Sequence, residues 1–215
     1  MSEEKVPQIL LMWSGGISST AALEFLLTKK EYKQFDIVVH HLHLRNIFKK
    51  EIAEAVACKR ILEYIQNKKK YRQFFFSESN HEYHFLKPDR YTKTVYDLDI
   101  VNFMAAQICA ANTNIKHVII GTNNTDETVT EGYAEKLARS QKILMESLSL
   151  ESENMDLTVE YPFKDYTLPQ VFNVLPAQLK SIVFSCMAPT YKDTYTAVPC
   201  GKCQKCTIRK KLLAK

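Results

Sequence analysis

Trp13-Ser14-Gly15-Gly16-Ile17-Ser18-Ser19-Thr20 is the stretch whose reading decides the fold. The apolar run Ile9-Leu10-Leu11-Met12 leads into it, and the helical pattern Ala21-Ala22-Leu23-Glu24-Phe25-Leu26-Leu27 follows it. That order predicts a strand, a tight turn and a helix. Adjacent glycines reach backbone angles that a side chain forbids, and they let an anion approach the main chain closely. Ser18, Ser19 and Thr20 fall where the new helix has unpaired N–H groups, and such a terminus is a ready phosphate site. The same residues also suit an ordinary turn with a hydroxyl helix cap. The lysine of a G-x-x-x-x-G-K-[ST] loop is missing, so a kinase-type phosphate loop is excluded.

Working outward, Phe35 to Leu44 is apolar and β-branched at its start, which predicts a buried parallel strand. Lys49 to Gln66 has helical spacing, and Tyr71 to Ser77, with Phe74-Phe75-Phe76, reads as a third strand. His81 to Tyr96 reads as loop, Asp97 to Asn112 as helix, and Lys116 to Gly121 as a short strand ending in glycine. A loop from Thr122 to Thr130, a helix from Gly132 to Leu148 and a strand from Leu157 to Tyr161 follow. Thr167-Leu168-Pro169 and Pro176-Ala177 each open a short helix. Strands alternating with helices imply an α/β fold with a doubly wound, mainly parallel sheet. Ligands on such sheets bind at the carboxyl ends of the strands. There Gly121-Thr122-Asn123-Asn124-Thr125-Asp126-Glu127 should join the Ser-Gly-Gly turn.

The chain of 215 residues is long enough for one α/β domain with a small appendage. Its net charge of +5 suits an anionic ligand but does not by itself argue for nucleic acid. No apolar run approaches transmembrane length. The polar start Met1-Ser2-Glu3-Glu4-Lys5 is unlike a secretory signal, so a cytoplasmic protein is expected. His40, His41 and His43 lack acidic or cysteine partners at ligand spacing, and they read as core or pocket histidines.

Of the six cysteines, Cys58 and Cys109 lie in helical patterns and read as small buried hydrophobes. Cys186, Cys200, Cys203 and Cys206 crowd the C-terminus. In a cytosolic chain that clustering argues for metal rather than disulfides, and four thiolates close a tetrahedral Zn2+ site. Cys200-Gly201-Lys202-Cys203-Gln204-Lys205-Cys206 supplies three ligands from one knuckle. The basic tail from Ile208 is too short to fold alone, and zinc binding can supply the missing free energy. Two units are therefore expected: a nucleotide-binding α/β domain over 1–184 and a zinc-binding segment over 185–215 packed on it.

Ser14-Gly15-Gly16-Ile17-Ser18-Ser19 resembles the S-G-G-x-D-S signature of the PP-loop ATP pyrophosphatases, with Ser18 where that family has Asp. Together with the cysteine cluster it looks like the 7-cyano-7-deazaguanine (preQ0) synthase, or QueC-like, family. Ile119 to Asp126, Tyr161-Pro162-Phe163, Phe184-Ser185-Cys186 and Cys206-Thr207-Ile208-Arg209 extend the likeness over nearly the whole chain. The resemblance implies an adenine nucleotide alpha hydrolase-like fold and an ATP-dependent carbon–nitrogen ligase. Such an enzyme turns a deazapurine carboxylate, 7-carboxy-7-deazaguanine, and ammonia into the nitrile preQ0 for queuosine biosynthesis. It implies ATP held by Ser14, Gly15, Gly16, Ile17, Ser18, Ser19, Thr20 and Gly121, with Ser14 and Asp126 catalytic. Mg2+ would sit on Asp126, with Glu127 beside it; an Asx turn is the other role for Asp126.

The chain departs from the family pattern at Ser18, at Thr130-Glu131-Gly132-Tyr133-Ala134 and at Val101-Asn102. These changes surround the expected base pocket, so the alternative is a catalytically altered nucleotide- or partner-binding relative, for example in phage DNA modification or antiphage defence. Other PP-loop activities, tRNA amidation or thiolation, need a basic stripe that the chain does not show. A zinc-knuckle RNA binder is favoured only by Lys202, Lys205, Arg209, Lys210 and Lys211. Nucleic acid is therefore not expected as a direct substrate, no membrane partner is expected, and a homodimer is allowed.

Overall fold

The computed structural model describes residues 6–45, 49–82, 97–125, 132–149, 156–194 and 196–214. Strand β1 (Gln8–Met12) runs into the Ser-Gly-Gly turn and helix α1 (Ile17–Thr28). After it come β2 (Asp36–Arg45), α2 (Lys50–Gln66), β3 (Phe75–Glu82), α3 (Asp97–Ala111) and β4 (Ile115–Ile120). Helix α4 (Tyr133–Ser149), β5 (Thr158–Glu160), α5 (Leu168–Val174) and α6 (Ala177–Ile182) complete the α/β body. The order across the sheet is β3-β2-β1-β4-β5, and every pairing is parallel. Two crossovers therefore run one way from β1 and two the other, which makes the carboxyl end of β1 and β4 the switch point.

Alternation along the strands sorts their side chains onto two faces. Ile9, Leu11, Ile37, Val39 and Ile119 pack on one side with Ala21, Leu23 and Leu26 of α1 and Cys58, Ile61 and Ile65 of α2. Leu10, Met12, Leu42, Leu44, Val118 and Ile120 pack on the other with Ala105, Ala106 and Cys109 of α3 and Leu144 and Leu148 of α4. Cys58 and Cys109 are buried, as their helical settings predict. Helix α5 starts where Thr167-Leu168-Pro169 predicts, through a capping box: the Gln170 N–H donates to the Thr167 hydroxyl and the Thr167 N–H to Gln170 Oε1.

The third strand is shifted from its expected place at 71–77 to Phe75–Glu82. The phenylalanine run looks like a buried core, but β3 is the sheet edge and Phe75 is 62% exposed. What places it is backbone pairing with β2 from Val38 to Arg45, and the fit of polar side chains there. Ser77 and Ser79 hydroxyls meet the two ring nitrogens of His40 at 2.9 and 2.8 Å. Hence His81 and Glu82, expected in a loop, are strand.

After α6 the chain forms a small antiparallel pair, β6 (Thr190–Tyr191) with β7 (Ala197–Val198), and then α7 (Gln204–Leu213). The basic tail from Ile208 thus continues a helix that begins inside the cysteine knuckle. Ile208 and Leu212 of α7 pack against the core, where α7 meets α5. Arg209 donates to the Ser181 carbonyl at 3.2 Å, the Tyr191 hydroxyl to the Lys49 carbonyl, and the Phe184 N–H to the Gly15 carbonyl at 3.1 Å. Among the described residues no helix is long and apolar enough to cross a membrane.

Candidate functional site

Gly15 takes the left-handed conformation, φ 70°, and its Cα lies against α2: an added Cβ would stand 3.0 Å from Cys58 Sγ and 3.1 Å from Cys58 N. Gly16 is the N-cap of α1, and the first helical bond runs from Thr20 N–H to its carbonyl at 3.0 Å. The N–H groups of Ile17, Ser18 and Ser19 therefore precede the helical ladder, at the positive end of the helix dipole. The hydroxyls do not cap in the expected way. The Ser14 N–H donates to the Ser19 hydroxyl at 3.3 Å, and the two hydroxyls lie 3.2 Å apart, which braces the turn across its width. Ser18 accepts from Asn123 Nδ2 at 2.9 Å, so the residue in the motif-Asp position ties α1 to the loop after β4.

Ser14, Gly16, Ile17, Ser18, Ser19 and Gly121 line a cleft at the switch point. Gly15 and Thr20 belong to the turn but not to that lining. Thr20 is fully buried, and its hydroxyl accepts from the Trp13 ring N–H at 3.2 Å beneath the turn. Gly121 is a close-approach residue: a Cβ there would lie 2.4 Å from Ser19 N and 2.6 Å from Ser18 C. Asp126 and Glu127 lie outside the described residues.

The remaining wall of the cleft comes from elements the motif does not include. Lys50 and Glu54 project from the first turns of α2, one helical turn apart. Ser185, Cys186 and Met187 come from the segment before β6, and Lys205 from α7. Lys50 is bound to Asp97 at 2.6 Å. Burial pushes the Glu54 carboxyl up to about 7, against the pull of the Lys50 charge. A carboxyl titrating near neutrality in a cleft with two ammonium groups is suited to proton transfer. Sequence reading missed Lys50 and Glu54; their i,i+4 spacing at the start of the helix after the second strand was the available signal.

Beside this wall the four C-terminal cysteines converge. Their sulfurs all lie within 4.8 Å of one another, with Cys200 and Cys206 4.0 Å apart. Four thiolates at about 2.3 Å from one tetrahedral ion would stand roughly 3.8 Å apart, so the set fits a single metal ion with little movement. Main-chain donors support the charge. Cys200 N–H points to Cys186 Sγ at 3.2 Å, Cys203 N–H to Cys200 Sγ at 3.3 Å, and Cys206 N–H to Cys203 Sγ at 3.4 Å. The Cys203 N–H, with that of Lys202, holds the Cys200 thiol down at about 6. Gly201, at φ 69°, makes the knuckle's turn.

The histidines of β2 stay out of this site. His41 Nδ1 donates to the Trp13 carbonyl at 2.9 Å and steadies the entry to the turn. Its ring lies 4.4 Å from that of His43 on the shared strand face, while His40 faces the other way, as alternation requires.

The family model described as queuosine biosynthesis protein QueC matches residues 8–215. No curated protein matches the sequence. Among solved structures, the chain is similar to the U34-tRNA thiolase NcsA from Methanococcus maripaludis with its [4Fe-4S] cluster, at 13% identity and a TM-score of 0.54. That likeness covers 97% of this chain and 65% of the other, so the chain spans just under two thirds of that protein's length. At this identity the shared feature is the fold.

Proposed function

This chain belongs to the QueC family, and on that premise we propose that it uses ATP to activate a carboxylate for attack by ammonia. A carboxylate is a poor electrophile. Its oxygen attacks the α-phosphorus of ATP and pyrophosphate leaves, giving an acyl-adenylate. Ammonia then attacks the carbonyl carbon, AMP departs with one carboxylate oxygen, and an amide remains. A second adenylation of the amide oxygen and loss of AMP leaves the nitrile. On a 7-carboxy-7-deazaguanine substrate the product is preQ0.

The observation that carries the reading is the cleft at the N-terminus of α1. Bare N–H groups of Ile17, Ser18 and Ser19, the Ser14 hydroxyl and the helix dipole converge there. Ser14 orients the phosphates in this account. Glu54 is the carboxyl that the described lining offers to an incoming nucleophile's proton or to Mg2+. Asp126, the carboxylate the resemblance implies for Mg2+ and catalysis, is the other candidate beside Glu54.

We assign the four cysteines to one structural Zn2+. A [4Fe-4S] cluster, in which each thiolate binds a different iron, calls for more widely spaced sulfurs than these. The account also treats 185–215 as an appendage to a nucleotide-binding body, in the cytoplasm and without a direct nucleic-acid substrate.

Incubation with ATP, Mg2+, ammonia and 7-carboxy-7-deazaguanine tests the reaction. AMP and nitrile should appear together. AMP without nitrile would mean another acceptor, and bound but uncleaved ATP would favour a catalytically silent relative.

A further inference from the structure

The Ser14-to-Thr20 turn contains no lysine or arginine. A helix N-terminus supplies only about half a positive charge, whereas a triphosphate brings several negative ones. Beyond the Mg2+ that accompanies ATP, the described cleft lining offers two further positive charges, Lys50 and Lys205, against the one carboxyl of Glu54. Lys50 is drawn to Asp97 at 2.6 Å. The charge of Lys205, like that of Lys50, acts on the Glu54 carboxyl. Lys205 lies between Cys203 and Cys206 in the first turn of α7, and Cys203 is that helix's N-cap, its sulfur accepting from the Cys206 N–H. Lys202, on the same knuckle, is exposed and does not line the cleft.

The knuckle is also fastened to the body on three sides: Phe184 N–H to the turn's own Gly15 carbonyl, the Tyr191 hydroxyl to Lys49, and Arg209 to Ser181. Cys186 and Met187 share the cleft with Lys205. The cysteine centre and the Ser-Gly-Gly turn thus line one cavity.

We infer that Lys205 is a phosphate-binding side chain of this cleft, and that the metal-closed knuckle delivers it there. The inference rests on the nucleotide reading above and adds a residue and a purpose for the metal. An ammonium on a four-carbon stem is a mobile point charge with three donors. Closing Cys203 and Cys206 on one ion fixes the helical turn from which that stem reaches.

Calorimetric titration of the as-purified protein with Mg·ATP and with adenosine tests this. Lys205→Ala should weaken ATP about tenfold, the scale of one lost charge-assisted hydrogen bond, and leave adenosine unchanged. Lys205→Arg should keep most of the affinity, and Lys202→Ala should match wild type. Chelator-treated wild type should fall to the level of Lys205→Ala, and chelation of that variant should add little. Lys205→Ala within about twofold of a wild type that binds ATP would overturn the assignment alone, on the same affinity scale. An equal loss in Lys202→Ala would also overturn it, because general electrostatics would then explain the effect. Unchanged ATP affinity after the metal is stripped would overturn delivery by the knuckle. A wild type that ignores ATP would take down the nucleotide reading, and this inference with it.

Discussion

At Gly121 one hydrogen in place of a methyl lets β4 meet the first turn of α1. An alanine Cβ would lie 2.4 Å from the Ser19 nitrogen, so one of the two backbones must shift. Gly121→Ala should cost about 1–3 kcal/mol, as overpacked sites do, and should weaken ATP because the helix terminus is pushed away. Thermal melting checks the first effect; an unchanged midpoint would mean the two elements do not meet so closely. Two buried groups also set opposite responses to acid. Burial lowers the His41 imidazole to about 4, so this ring folds neutral. Between its unfolded value near 6.5 and about 4 the unfolded chain binds more protons, and stability falls as pH falls. Glu54, raised to about 7, acts the other way: between its unfolded value and about 7 the folded chain binds more protons, and stability falls as pH rises. In wild type the two groups oppose each other. Glu54→Gln removes one side, so its stability should drop by about 3 kcal/mol as pH falls from 6.5 towards 4, in the direction that His40 reinforces. Urea unfolding at a series of pH values reads this; a variant whose stability falls no more steeply with acid than that of wild type would contradict it.

Among the elements, those with strong periodicity were legible in the amino-acid pattern. The strand–turn–helix at Ile9 to Leu27 and the helices Lys50–Gln66 and Asp97–Ala111 stand where alternation and helical spacing put them. The edge strand was harder: its apolar residues face solvent and its pairing residues are polar, so composition pointed a few positions too early. The β6–β7 pair has strands of two residues, too short for any period to show. The cleft was half legible. Ser14 to Ser19 carries a local signature, whereas Lys50, Glu54 and Lys205 meet only through long-range packing. The cysteine knuckle makes its own prediction. As-purified protein should carry one zinc per chain, and Cys206→Ser or chelation should release it. The loss should destabilise by several kcal/mol, because metal-binding free energy there is folding free energy. Metal analysis and melting in chelator check this; metal-free protein of full stability would remove the claim.

For the molecule as a whole, the sheet order places everything chemical on one edge. β1 and β4 diverge at the switch point, α1 presents its amide end there, and α2 and the knuckle close the other side. The replacement at Ser18 fits within this plan, since its hydroxyl bonds Asn123 and keeps the β4 loop on the helix. The central claim is that nucleotide phosphates dock on the main-chain amides at the start of α1. The most direct test is to titrate isotope-labelled protein with Mg·ATP and follow the amide resonances, beside Gly16→Val, whose side chain enters the cleft next to the Ser14 hydroxyl. The account predicts saturable shifts centred on Gly16, Ile17, Ser18 and Ser19, and none in a folded Gly16→Val. Shifts centred on another part of the protein, or unaltered binding by Gly16→Val, would contradict it.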